Sequence, residues 1–501
     1  MLYISTRDNF EKVSAAKAIK LGMVPRGGLF IPEKTPYIAQ TELNKMTSLT
    51  YCQIAEKILC LYLTDFSQNE IKECALNAYN QYNFDTYEIA PLYKLNDYTY
   101  ILELWHGPTA AFKDMALQIM PHLLSKAVKK LDSQKETVIL VATSGDTGKA
   151  ALEGFKDVEG LKIIVFYPYQ GVSKVQELQM TTTEGKNTFV VSIEGNFDDC
   201  QNTVKEVFAD ESFNKLLQDN NYELSSANSI NWGRLAPQII YYFWAYLRLL
   251  DKGEIKENEK INFSVPTGNF GNILAGYYAS LMGLPINKLI CASNENNILT
   301  NFINTGIYDK RREFKKTNSP SMDILISSNL ERFLFEITGH NGGKIRDWFE
   351  ELKTKGYFKI DEVTLEKLQE IMVGNYATEK ETLSTISEVY FNNKYLMDTH
   401  TAVGVKVSAD YVEEEKDEHL AVAVSTANPY KFNSSVLEAL KGKEEVSKKD
   451  EFEILDELDK LTGIEIHPGL KYLDKKQVRH KQSCHKENIR EQIKSILSIK
   501  T

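Results

Sequence analysis

Lys113 stands in the run Leu104-Trp105-His106-Gly107-Pro108-Thr109-Ala110-Ala111-Phe112-Lys113-Asp114, one ammonium in an apolar, turn-rich stretch. Such a setting penalises the charged form, so a lysine there can lose its proton near neutral pH and attack an aldehyde. A surface lysine paired with Asp114 is the other reading, and taken alone the residue favours it. Two glycine-rich turns lie downstream, Thr143-Ser144-Gly145-Asp146-Thr147-Gly148 and Gly268-Asn269-Phe270-Gly271-Asn272. In the second, glycines let successive backbone N–H groups converge on an oxyanion, and the following helix offers its positive end. It lacks a Lys-Ser/Thr ending, which disfavours a nucleotide with magnesium. A phosphate held by amides and a ligand-free strand-to-helix turn both remain open for it. In the first turn, hydroxyls and amides suit a substrate carboxylate, whereas Asp146 would repel one and could instead approach a cofactor. The competing reading is a capping turn in which Ser144 or Thr147 satisfies helix N–H groups.

Two further polar segments belong to the same argument. Ser425 and Thr426 follow an apolar run, where a hydroxyl can bond a pyridine nitrogen without adding charge, or simply cap a helix. The stretch Ser226-Ala227-Asn228-Ser229-Ile230-Asn231-Trp232-Gly233-Arg234 is rich in amide and hydroxyl donors and ends in a guanidinium. It suits a second phosphate, that of a substrate, or is a polar loop ahead of an apolar helix. One activated lysine with two anion cradles suggests an enzyme that uses pyridoxal 5'-phosphate.

Elements that place these residues can be read from the hydrophobic period. Val138-Ile139-Leu140-Val141-Ala142 is a continuous apolar run, as expected of a strand covered on both faces. It leads into the Thr143 turn, a helix, and a second strand over 162–167. The pattern recurs at 261–265, followed by the Gly268 turn, a helix and a strand at 288–292, and again at 420–424 before Ser425. In each of these three cases the polar or glycine-rich segment falls just past the carboxyl end of a strand, where open α/β sheets bind ligands. Thr109 is the expected N-cap of the Lys113 helix, and Pro121 either kinks that helix or starts another.

The 501 residues imply several domains. The expected division is a mainly helical segment over 1–95 and an α/β domain over 96–260 with a mobile smaller part at about 130–225. A large α/β domain over 261–440 and an extension over 441–501 complete it. A net charge of -10 argues against a sequence-independent nucleic-acid binder. The six cysteines show no CxxC pair, and His480, Cys484 and His485 lack zinc spacing, so free thiols and no metal are expected. Residues 1–8 have no apolar segment, so no signal peptide is evident, and the greasiest stretch, 239–250, is too short to span a membrane. A cytoplasmic protein without membrane partners is the expectation. The basic tail after Tyr472 is expected to end in a surface helix.

The run Glu103-Leu104-Trp105-His106-Gly107-Pro108-Thr109 to Phe112-Lys113-Asp114 resembles the cofactor-lysine motif of threonine synthases. So do Ala142-Thr143-Ser144-Gly145-Asp146-Thr147-Gly148, Asn228-Ser229-Ile230-Asn231, Val265-Pro266-Thr267-Gly268-Asn269-Phe270-Gly271 and Ser425-Thr426-Ala427-Asn428-Pro429. Gly28-Leu29-Phe30-Ile31-Pro32 is similar to the family's longer microbial and fungal form. The resemblance implies the tryptophan synthase β-like fold of type II pyridoxal-phosphate enzymes, with parallel or mixed sheets covered by helices on both faces. By the same likeness Lys113 would bond the cofactor aldehyde, and Gly268 to Asn272 would grip its phosphate. Thr426 would face the pyridine nitrogen, and Asp146 the ring hydroxyl. The turn with Thr143, Ser144 and Thr147 would hold the substrate carboxylate. Asn228, Ser229, Asn231 and Arg234 are the candidates for a substrate phosphate. The activity implied is conversion of O-phospho-L-homoserine and water to L-threonine and phosphate, by a monomer or homodimer. Asn428 stands where relatives carry histidine, and Pro121 is unexpected in the lysine helix. The alternatives are a β-eliminating enzyme of the serine/threonine dehydratase or cysteine synthase type, a non-catalytic paralogue that binds the cofactor or a phosphometabolite, and a phosphate- or nucleotide-binding module.

Overall fold

The computed structural model describes residues 1–143 and 145–499; Ser144, one of the substrate candidates, lies outside them. A six-stranded sheet runs in the order Met372–Tyr376, Ile286–Ser293, Ile261–Pro266, Ala421–Ser425, Thr99–Glu103, Leu92–Lys94. Its pairings are parallel except for the last, an antiparallel edge. Every residue of Ile261–Pro266 and Ala421–Ser425 is buried, which explains their unbroken apolar runs. Successive side chains divide between the two faces with the strand period of two. Tyr100, Leu102, Val422 and Val424 join the apolar cluster that contains helices Trp232–Asp251 and Gly271–Leu281. Ile101 and Ala423 meet Ile386, Ala402 and Val436 on the opposite side.

A five-stranded, wholly parallel sheet has the order Gln482–His485, Thr188–Glu194, Leu161–Pro168, Glu136–Ala142, Tyr222–Ser225. Ile139 and Val141 share one cluster with Leu123 and Leu152 from helices Met120–Lys130 and Asp146–Phe155. Val138 and Leu140 share another with Cys200, Val204, Ile489 and Ile493.

The chain is divided between the sheets differently from the ranges expected. Thr99–Glu103, which leads into the lysine motif, lies beside Ala421–Ser425 and not with the strands of 136–225. The tail supplies both the expected helix, Ile489–Ile496, and an edge strand, Gln482–His485, that its polar sequence did not signal. At the other end Tyr3–Ser5 pairs antiparallel with Phe30–Pro32, a three-residue strand too short to show a period. Helices Tyr51–Tyr62 and Gln68–Ala78 then pack into the same core as the large sheet. Trp232 is the knot: the rings of Tyr3, Tyr62 and Tyr278 meet it edge-on at 5.6, 5.4 and 5.3 Å. Among the described residues no helix is long and apolar enough to cross a membrane.

Candidate active site

Lys113 sits between the two sheets, at the entrance to the short helix Asp114–Leu117. Contrary to the expectation from sequence, Thr109 does not cap that helix; its N–H and hydroxyl each donate to the Asp114 carboxylate at 2.8 Å, which closes the turn from within. A second helix, Met120–Lys130, starts with Pro121 in its first turn, where the missing N–H has no partner to lose. Asp114 is thereby committed to Thr109 and does not pair with Lys113, so the surface-pair reading fails. The Lys113 side chain is 11% exposed and its Nζ lies 3.4 Å from Asp146 Oδ2 and 3.5 Å from Ser321 Oγ. Burial lowers the pKa of the amine, Asp146 opposes this, and the cations Lys431 and Arg234 push it further down. That is the condition a nucleophilic lysine requires.

Asp146 opens the helix Asp146–Phe155, after Gly145, whose φ of 139° few other residues adopt. Its Oδ1 accepts from Gln176 Nε2 at 3.0 Å and faces Lys431 Nζ at 3.1 Å. Burial works to raise this carboxyl, but Lys431 and then Lys113 outweigh it and hold it well below the usual carboxylate range. In the same turn the Thr143 hydroxyl accepts from the N–H groups of Gly145 and Gly148 at 3.0 and 2.9 Å. Thr143 is thus a hydroxyl that satisfies the turn, while Thr147 is partly buried.

The Gly268 turn reaches the lysine through Ser321. A Cβ on Gly268 would lie 2.7 Å from the Ser321 carbonyl oxygen, so only glycine allows this approach. Ser321 is held in turn by its N–H to His400 Nε2 at 3.1 Å, with His400 Nδ1 on Asp398 at 2.8 Å. Phe270 takes a left-handed φ of 62°, and helix Gly271–Leu281 starts without a side-chain cap. Asn272 is buried in its first turn; its Oδ1 accepts from Tyr241 and Tyr242 at 2.6 and 2.8 Å, while its Nδ2 finds no partner among the described residues. An uncapped helix start beside an orphaned amide donor fits an anion such as a cofactor phosphate. Asn269 presents its carbonyl to Asn329 Nδ2 at 2.9 Å, and the same Asn329 amide reaches Ser229 Oγ at 3.1 Å.

Thr426 is buried beside the lysine motif, its carbonyl accepting from Phe112 N–H at 2.8 Å. Asn428 turns its side chain back to Tyr430 N–H at 3.0 Å and starts a short 3-10 turn, a structural use of the position. The phosphate candidates separate. Ser229 contacts Asn329, and Asn228 is half-buried nearby, but Asn231 is fully buried with its amide spent on Ile19 and Ser226 carbonyls and on Gly233 N–H. It shapes the loop and has no free donor. Arg234 donates to the Ala227 carbonyl at 2.8 Å, and its Nε has no partner among the described residues. Burial draws its pKa down to about 10, opposed by Asp114, so it stays a cation at neutral pH. Sequence reasoning missed Ser321, Gln176, Asn329, His400 and Lys431. Only Lys431 carried a signal, as a cation just past the third strand end.

The comparisons with known proteins agree with this geometry. A family described as "Pyridoxal-phosphate dependent enzyme" matches residues 85–427. "Threonine synthase N terminus" matches residues 2–79, and "Threonine synthase, C-terminal" matches residues 401–467. Threonine synthase-like 1 of Macaca fascicularis is 41% identical over 460 residues, 88% of this chain and 61% of that protein, so the chain spans less than two thirds of that relative's length. Threonine synthase of Saccharomyces cerevisiae is 35% identical over 516 residues, 97% of this chain and 98% of that protein. The crystal structure of the pyridoxal-phosphate-bound threonine synthase from Brucella melitensis matches with a TM-score of 0.87 at 34% identity, covering 99% of each chain. The two helix-covered sheets are accordingly those of the type II pyridoxal-phosphate fold, and the chain belongs to the threonine synthase family.

Proposed function

We propose that this protein converts O-phospho-L-homoserine and water to L-threonine and phosphate, with pyridoxal 5'-phosphate as cofactor. The observation that carries the reading is the reach of Lys113 Nζ to Ser321, whose carbonyl abuts Gly268, joining the candidate amine to the candidate phosphate cradle. The near full-length likeness to the yeast threonine synthase supports the choice of substrate. Lys113 would hold the cofactor aldehyde, with its phosphate at the uncapped helix start of Gly271 and Asn272 and at the main chain of Gly268, Asn269 and Phe270. When bound, the cofactor supplies an electron sink for charge developing at the substrate α carbon.

This chain's own residues supply the rest. The Lys113 amine would take the substrate's α proton and then a β proton; phosphate leaves from the γ carbon, which gains a proton, water adds its hydroxyl at the β carbon, and Lys113 returns a proton to the α carbon. Position matters more than basicity, because one amine serves several steps. Thr426 would offer the ring nitrogen a neutral hydroxyl, and Asp146 would stand by the ring hydroxyl. Ser144 and Thr147, on the 143–148 turn, would bind the substrate carboxylate; Thr143 acts by shaping that turn. Arg234, with Asn228 and Ser229, receives the departing phosphate, whereas Asn231 orders their loop. The segment of about 130–225 moves as a smaller domain to exclude water, since solvent would divert reactive species.

The test is phosphate release from O-phospho-L-homoserine with threonine measured in parallel. Phosphate without threonine would mean γ-elimination without addition of water, and neither product would leave a β-eliminating enzyme or a binding protein, which turnover of L-serine or L-threonine tells apart. Lys113→Ala should lower turnover by at least about 10³-fold with the fold intact. Borohydride reduction should fix the cofactor on Lys113, and a label on any other lysine would overturn the assignment.

A further inference from the structure

Lys431 has no use in the scheme above, yet its side chain is fully buried at 0% exposure. It lies two residues past the Ser425–Pro429 segment and donates from Nζ to the Thr109 carbonyl at 2.7 Å. It also stands 3.1 Å from Asp146 Oδ1, while Asp146 Oδ2 faces Lys113 at 3.4 Å. One buried carboxylate is thus shared between two lysines, each on its own oxygen. The two amines are not equivalent. Lys431 has two close acceptors, whereas Lys113 has two longer contacts at 3.4 and 3.5 Å. Two ammonium groups about one carboxylate leave a surplus positive charge in a buried place, and the proton is shed most easily where acceptors are weakest. Arg234 adds a further cation near Lys113, Asp114 lies within the influence of both Arg234 and Lys431, and His467 lies within that of Lys431.

We propose that Lys431 is a positioning residue that locks Asp146 by one oxygen and, through its buried amine beside that carboxylate, makes Lys113 the lysine that gives up its proton. Asp146 then serves as a fixed anion for the nitrogen of Lys113 without forming a full ion pair that would hold the amine protonated. This rests on the reading of Lys113 as the cofactor lysine. The influence of Lys431 on Lys113 acts in the required sense, adding to that of burial.

The experiment is a pH titration of the visible absorption of the cofactor-loaded protein, which reports protonation at the Lys113 nitrogen. Lys431→Met and Lys431→Gln remove the charge, and the glutamine keeps a donor for the Thr109 carbonyl should the methionine variant fail to fold. In either variant the midpoint should rise by about one pH unit or more, because a nearby cation has been removed. Lys431→Arg should hold it within roughly 0.3 unit of the unaltered protein, the charge being kept. An unchanged or lower midpoint in a charge-removing variant that still melts cooperatively overturns the proposal, since a merely structural lysine would change the melting temperature and leave the titration alone. Peptide mapping after borohydride reduction separates the two failures. A label away from Lys113 removes the cofactor-lysine reading and this inference with it, whereas a label on Lys113 with an unmoved midpoint removes only the role of Lys431.

Discussion

Arg332 shows how a single buried side chain supports the site from behind. Its Nε donates to the Phe30 carbonyl at 3.0 Å, Nη1 to Asn329 Oδ1 at 2.7 Å, and Nη2 to the Ile230 carbonyl. The guanidinium also lies 5.9 Å from the Trp232 ring centre. Burial draws its pKa down to about 10, opposed by Tyr278 and Glu331, so the charge survives at neutral pH. Arg332 therefore ties the N-terminal strand pair and the 226–234 loop to Asn329, the residue that holds Asn269 in the phosphate turn. Replacing it with methionine leaves three buried acceptors without their donor. Each such loss costs about 1–3 kcal/mol, so Arg332→Met should lower unfolding free energy by roughly 3 kcal/mol or more and speed cofactor loss. Urea unfolding within about 0.5 kcal/mol of the parent would mean that these contacts contribute little net energy. Cofactor retention equal to the parent's would detach Arg332 from the phosphate turn.

The segment between strand Thr99–Glu103 and Lys113 is fastened by His106, with Nδ1 at 2.6 Å from Asp85 and Nε2 at 2.8 Å from Glu103. Trp105 stacks on this imidazole at 4.0 Å and donates to Ser425 Oγ at 3.1 Å, so the fastening reaches the third strand end. Burial works to lower the His106 pKa, but the two carboxylates raise it to about 9. With the folded pKa above the unfolded value near 6.5, the stabilisation is complete below about pH 6.5 and is lost as pH rises through about 9. The interval corresponds to roughly 3 kcal/mol. Against His106→Gln, the parent's stability advantage should therefore shrink by about that much between pH 6.5 and 10, and parallel stability curves would remove the imidazolium from the account. At this scale the sequence was most readable. The apolar runs at 138–142, 261–265 and 420–424 form strands within one or two residues of expectation, and both glycine turns follow them. Tyr3–Ser5 and Gln482–His485 were hidden because pairing with a distant partner, rather than their own residues, makes them strands. Ser321 comes from a three-residue 3-10 turn, Pro320–Met322, too short to show a period, and Lys431 differs from a surface lysine only through its burial. Asn231 has the right chemistry for a phosphate, but its neighbours Ile19 and Gly233 consume it.

Over the whole molecule the chain from 433 onward links the two sheets. Leu437, Leu455, Leu458 and Leu470 pack with Ile101 and Ala423 of the large sheet. Arg479 then pairs with Glu184 at 3.1 Å, and Gln482–His485 extends the five-stranded sheet alongside Thr188–Glu194. Beyond it Ile489, Ile493 and Leu497 join Val138, Leu140, Ile164 and Phe166, while Tyr222 donates to the Leu497 carbonyl at 3.2 Å and Arg490 meets Asp210 at 2.8 Å. Residues 482–499 are thus part of the unit that presents Asp146, although they are joined in sequence to the other sheet. Removing residues 481–501 should strip four buried aliphatic side chains, Ile489, Ile493, Leu497 and Ile499, at about 1.5–3 kcal/mol each, and bare the edge of Thr188–Glu194. The loss falls on one sheet, so its effect should be sub-global. Calorimetry should resolve an early transition for the five-stranded unit ahead of the main one, and limited proteolysis should cut within 188–220 before it cuts the strands at 261–293. Cofactor retention would survive better than turnover, because the Gly268 turn belongs to the intact sheet and the Asp146 turn to the weakened one. A truncated protein that melts in one unshifted transition, with turnover and cofactor lost in equal measure, would show that the tail does not hold that unit together.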